Sequence, residues 1–238
     1  MSALTASTSL AEITRAVPGS ERTLESFGLD YCCGGARSLT DACKALDLDP
    51  STVLEAVQAI HAQPTPEWAS MTPGALVDHI EATHHAYLHA ELPRLSALAE
   101  KVTGVHGAHH PELVEIQQTY EAIRADLEPH LAKEERVLFP MIRELDHATT
   151  APQFHCGSLQ NPISMMMREH DMVGDLLATL HRLTAGYQTP ADGCASYQAL
   201  FDGLAHLEAD THRHVHKENN VLFPAVVTLE AELDARTR

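Results

Sequence analysis

The chain has 238 residues, 44% of them hydrophobic and 5% aromatic, with 33 acidic against 16 basic residues and a net charge of −17. That balance argues against nucleic acid or an anionic membrane as partner, and no run approaches the roughly 18 uninterrupted apolar residues of a bilayer span. Seventeen histidines are an unusual enrichment that points toward metal.

Residues 1–17 have no basic stretch followed by an apolar run, so they do not read as a secretion signal. The five cysteines, Cys32, Cys33, Cys43, Cys156 and Cys194, are odd in number and irregular in spacing, unlike a disulfide framework. The expectation is a soluble, cytoplasmic protein.

Short helical runs are expected at 9–17, 20–27, 38–46 and 51–61, with starts at Ser20, Ser38 and Asp49-Pro50. Between the second and third lies DYCCGG at 30–35. Gly34 and Gly35 permit positive φ and close backbone approach. Adjacent cysteines rarely bond each other without strain. Cys32 and Cys33 therefore read as candidate redox or transfer thiols, or else as an inert turn. Proline-rich sequence then divides the chain into a small helical unit at 1–62, a linker at 63–73 and a larger unit at 74–238.

Four long helical patterns follow, at 73–103, 111–146, 161–187 and 195–234, with turn formers between them and no sustained strand alternation. The fold class is all-α, an up-down-up-down four-helix bundle behind a small helical domain.

An eleven-residue phrase occurs twice: HLAKEERVLFP at 130–140 and HVHKENNVLFP at 214–224, identical at seven positions. Each copy carries a histidine and, four residues on, a glutamate: His130 with Glu134 and His214 with Glu218. Residues four apart share a helix face, so each copy offers two ligands to one centre. Antiparallel neighbours bring residues to one level when a turn lies midway between them. Reflection of His130 through the turn at 104–107 reaches His84 and His85; reflection of His214 through 188–193 reaches His170. The repeat selects His85, which precedes His130 by 45 residues as His170 precedes His214 by 44. The expected metal ligands are His85, His130, Glu134, His170, His214 and Glu218.

Four imidazoles and two carboxylates exceed one tetrahedral zinc. They suit two metals, each with two histidines, bridged by the two glutamates. The absence of thiolate favours iron or manganese, with zinc able to enter by raw affinity. His84 is rotated about 100° from His85, and His212 and His216 should face away from the site. His89 shares the face of His85 and is the best substitute or supporting group. Asp126, four before His130, is placed to hold a ligand ring. His61, His106, His109, His110, His147 and His155 read as solvated. Pro140 and Pro224 recur in register, and kinks or local ends are expected there; Pro93 and Pro129 raise the same question.

With these residues in hand, the chain resembles the iron–sulfur cluster repair di-iron proteins of the YtfE, ScdA or RIC type. The matching segments are DYCCGG at 30–35, DHI at 78–80 with His85 following, HLAKEERVLFPMI at 130–142, EHD at 169–171 and HVHKENNVLFP at 214–224. The resemblance implies an ScdA-like N-terminal domain, a hemerythrin-like bundle and two non-haem iron ions bridged by Glu134 and Glu218. It implies repair of clusters damaged by nitric oxide or peroxide, by donating iron to damaged or apo iron–sulfur proteins, and it allows a homodimer. Reduction of nitric oxide or peroxide at the irons is the enzymatic alternative. Binding of dioxygen or nitric oxide as a carrier or sensor is another. Oxygen carriers of the hemerythrin type have a more histidine-rich set on one iron, an asymmetry absent here.

Overall fold

The computed structural model describes residues 4–60 and 67–237; His61 and the first part of the expected linker lie outside the described residues. Among those described, all regular structure is helical, apart from isolated bridges such as Ser9 with Ser38. No helix is long and apolar enough to cross a membrane.

Helices α1 (Leu10–Ala16), α2 (Ser20–Ser26), α3 (Leu39–Ala45) and α4 (Pro50–Gln58) form the N-terminal unit. Their starts follow local chemistry. Ser9 and Glu12 cap each other's backbone, Ser38 accepts from the amide of Asp41, and Asp49 accepts from that of Ser51 ahead of Pro50. Helix α2 begins at Ser20 as expected, without a side-chain cap; its cap residue is Gly19 at φ 93°. Leu10, Ile13, Leu24, Leu39, Val53 and Val57 bury almost completely here, and Val215 of the bundle joins them. Each such side chain contributes about 1.5–3 kcal/mol.

Four rods follow. The first is α5 (Pro73–Ile80) and α6 (Ala86–His106), joined through a π turn at Glu81–His85. The second is α7 (Glu112–Lys133) and α8 (Phe139–His147), joined through a π turn at Glu134–Leu138. Helix α9 (Gln160–Leu183) is uninterrupted, and α10 (Ala195–Lys217) continues through a π turn at Glu218–Leu222 into α11 (Phe223–Thr237). Helix α9 stops short of the expected 187 because Ala185, Gly186 and Tyr187 all take left-handed φ.

A π turn stands just before each of Pro140 and Pro224, where kinks or local ends are expected. Proline has no N–H for the carbonyl four residues back and its ring presses on that carbonyl. At both places one turn is widened, so that Phe139 N–H bonds Glu134 O and Phe223 N–H bonds Glu218 O; the π turn at Glu81–His85 has the same form without a proline. Pro93 and Pro129 stand inside continuous helices.

Helix α7 lies between α6 and α9, and α10 closes the bundle against both. Two apolar clusters fill the bundle, one including Leu88, Ile123, Leu177 and Leu204, the other Val77, Phe139, Ile163 and Phe223. The histidines and glutamates of the repeat form a polar layer between these clusters.

Candidate metal centre

The structure brings the six expected ligands together. Each is at most 2% exposed, and their donor atoms form two groups: His85, Glu134, His214 and Glu218; and His130, Glu134, His170 and Glu218. Both glutamates belong to both groups. The sequence left open which histidines pair. Each pair joins a lone histidine to a repeat histidine on the neighbouring rod. His85 Nε2 lies 3.2 Å from His214 Nε2, and His130 Nε2 lies 3.1 Å from His170 Nε2. Glu218 turns Oε1 to His214 at 3.0 Å and Oε2 to His170 at 3.2 Å; Glu134 Oε2 lies 3.5 Å from His85 and 3.3 Å from His130.

Three outer nitrogens are committed. His85 Nδ1–H donates to Glu135 at 3.0 Å, His130 Nδ1–H to Glu169 at 2.9 Å and His170 Nδ1–H to Asn219 Oδ1 at 2.8 Å. These bonds fix the tautomer that leaves a lone pair on Nε2. Lone pairs facing each other across 3.1–3.2 Å repel unless a cation or a proton stands between them. Two nitrogens about 2.1 Å from one ion, at right angles, would be about 3.0 Å apart. Both oxygens of Glu134 and Oε2 of Glu218 are buried with no hydrogen-bond partner. Orphaned buried carboxylate oxygens are costly, and a metal ion is the group that satisfies them. The donor set fits a metal.

Charge and burial oppose each other in this layer. Burial works against a charged His130, but Glu134 and Glu218 outweigh it and raise its pKa to about 9. Burial and Glu218 push Glu134 up, yet His130 and His85 hold it at about 2. His214 moves the other way: complete burial dominates and lowers its pKa, although Glu218 lies against it.

Several supporting residues were not foreseen. Asp126 is exposed; the acid that holds His130 is Glu169, which Lys133 also contacts. Glu169 stands beside His170, one position off its helix face, where four-residue spacing does not reach. His89 is outside both groups and shares Glu135 with His85, at 2.7 Å. His84 is buried, with its ring stacked on that of His214 at 5.4 Å. His216 faces away from the ligands yet is buried, between Tyr31 and Trp68. His110 sits between Glu112 and Asp192, and His106 lies against Cys194 at 3.1 Å, so neither is simply solvated.

The DYCCGG turn docks on the same layer. Asp30 Oδ1 accepts from the amides of Cys32 and Cys33, and Oδ2 from that of Gly34. That carboxylate is already saturated and holds the turn rather than a ligand. Asn219 and Asn220 donate from Nδ2 to the carbonyls of Tyr31 and Cys32. Gly35 is required by close approach, not by φ: a Cβ there would lie 2.6 Å from Asn220 Oδ1. Cys32 is buried, and its neighbour Cys33 together with burial raises its pKa. Cys33 is half-buried, reaches the carbonyl of His170 at 3.5 Å, and lines a cavity of about 660 Å³ between the two units with Asp30, Asp171 and Asp175.

Residues 76–226 match the hemerythrin HHE cation binding domain, and residues 6–61 match the domain of unknown function DUF542. The chain is 33% identical over 222 residues to a probable iron-sulfur cluster repair protein of Haemophilus influenzae, covering 92% of this chain and 96% of that one. It is 31% identical over 216 residues to the iron-sulfur cluster repair protein ScdA of Staphylococcus haemolyticus (90% and 95%), and 31% over 223 residues to the iron-sulfur cluster repair protein YtfE of Escherichia coli O157:H7 (93% and 97%).

Proposed function

The chain belongs to the hemerythrin HHE cation binding family and carries a DUF542 domain ahead of it, and from that premise we propose that it is a di-iron protein that repairs iron–sulfur clusters damaged by nitrosative or oxidative stress. The ligands in this reading are His85, His130, Glu134, His170, His214 and Glu218. The small unit spans 1–62, the linker 63–73 and the bundle 74–238. The observation that carries it is the sharing of both buried glutamates by two histidine pairs. The names of the relatives support the repair role.

When bound, two irons in such a set would supply redox-active Lewis acids with coordination positions left over for small molecules. The protein's part is orientation and exclusion of water. Glu135, Glu169 and Asn219 aim three imidazoles, and the apolar clusters on either side keep the layer dry. Iron is also the cargo, and damaged or apo iron–sulfur proteins are the recipients. The test is incubation of iron-loaded protein with an apo iron–sulfur enzyme and a sulfide source. Faster recovery of the enzyme than with matched free ferrous iron supports donation; equal rates reject it.

A second reading, reduction of nitric oxide, is favoured by the position of Cys33 against the backbone of His170. Two nitric oxide molecules, two electrons and two protons give nitrous oxide and water; Cys32 and Cys33, with Sγ atoms 3.9 Å apart, would release two electrons and two protons on closing to a strained vicinal disulfide. Stopped-flow mixing of nitric oxide with the diferrous protein tests this. Nitrous oxide that disappears in the Cys32→Ala, Cys33→Ala double variant supports the relay; stoichiometric binding alone rejects turnover.

A further inference from the structure

The two histidine pairs differ in what stands behind them. His130 and His170 both have an acceptor at Nδ1, as does His85. His214 has none, and its Nδ1 is buried. One change within the internal symmetry accounts for this. In the half that holds His130, the residue before the lone histidine is Glu169; in the half that holds His214 it is His84. His84 reaches the matching place but offers the face of its ring, 9° from parallel with His214. Both its nitrogens are committed elsewhere: Nδ1–H donates to Asp210 at 2.9 Å, and Nε2 accepts from Lys217 at 2.8 Å. Lys217 is itself buried, lies 2.9 Å from His79 Nε2 and stands over the Trp68 ring. Its repeat counterpart, Lys133, instead supports the acid Glu169 near the surface.

We propose that the metal position formed by His85 and His214 is the labile one of the two, and that the buried His84–Lys217–Asp210 network makes it so. The inference rests on the di-iron reading. Both positions share Glu134 and Glu218, so the contrast between them lies in the outer partners. An acceptor on the far nitrogen locks a ligand ring and raises its basicity, and losing one costs about 10–100-fold in metal affinity. His214 lacks that support. Each side has one lysine and one acid, but they are placed differently: Glu169 bonds a ligand ring directly with Lys133 behind it, whereas Asp210 and Lys217 both bond His84, which only stacks on His214. Iron then leaves one ion at a time, and the His130–His170 position stays filled and keeps the layer satisfied.

The test is release of iron from anaerobically loaded diferrous protein to a ferrous chelator, followed by stopped-flow. Two phases of equal amplitude, about 10–100-fold apart in rate, are expected. A Mössbauer spectrum after the first phase should show one mononuclear ferrous site. His84→Glu, which restores the acid before the lone histidine, should slow the fast phase by about tenfold and leave the slow phase unchanged. Glu169→His should accelerate the slow phase until the two merge, and it decides the matter alone if His84→Glu does not fold. A single phase in the parent protein, a His84→Glu effect on the slow phase, or a slow phase insensitive to Glu169→His overturns the proposal. A protein that binds fewer than two irons at saturation defeats the di-iron reading instead.

Discussion

Glu135 and Asn219 occupy the same place in the two copies of the repeated phrase, each one residue past a shared glutamate, yet they face different company. Glu135 looks outward, where it holds His85 and the half-exposed His89. Asn219 looks toward the N-terminal unit, where one amide holds His170 through its oxygen and approaches the carbonyl of Cys32 through its nitrogen. A carboxylate could not do both, because it has no hydrogen to donate. The ligands are the same in both halves where the halves meet each other. The supporting residues diverge where one half meets solvent and the other meets a second domain.

The comparison breaks most decisively at the shared acids. On the di-iron reading, Glu218→Gln should remove both ions together, because each group contains that carboxylate, and iron per chain measured by elemental analysis should fall to near zero. A variant that keeps one ion would show that the halves do not share their bridges. Next in size are the supporting residues. Asn219→Leu should weaken iron binding about 10–100-fold in chelator competition and also expose Cys32 to alkylation. Glu135→Leu should weaken iron binding comparably and leave Cys32 protected. Equal thiol exposure in the two variants would remove the distinction between the halves.

The metal-free protein offers a pH contrast. His130 has a folded pKa near 9, above its ordinary value, so the stability it contributes is complete below about pH 6.5 and is lost as pH rises through 9. The melting temperature of the metal-free form should drop by roughly 5 °C across that interval. Imidazole NMR should show the His130 ring titrating near 9 and the His85 ring shifted up, while His214 is shifted the other way, down from its ordinary value by burial. The smallest effect is at the docking turn. Gly35→Ala puts a methyl against Asn220 and should cost about 1 kcal/mol, seen as faster proteolysis between the two units with iron content unchanged.

The convergence of the six side chains was readable because their spacing is set by the helix. His130 with Glu134 and His214 with Glu218 share a face whatever surrounds them, and turn symmetry places His85 and His170 at the same level. The helix starts at Ser38 and Asp49 were readable for the same reason, since a cap acts within three residues. Glu169, His84 and Lys217 were not. Each lies one position off a ligand's face, and its role depends on a neighbouring rod whose rotation no local spacing records.

Sequence alone therefore determined the helical class, the repeat and the six converging side chains, all consequences of periodicity along single helices. Tertiary structure decided which histidines pair, that π turns precede Pro140 and Pro224, and that the double-cysteine turn rests on the second copy of the phrase. It also decided that His214 alone goes without an acceptor. These depend on contacts between segments far apart in the chain, where packing and burial choose the partner.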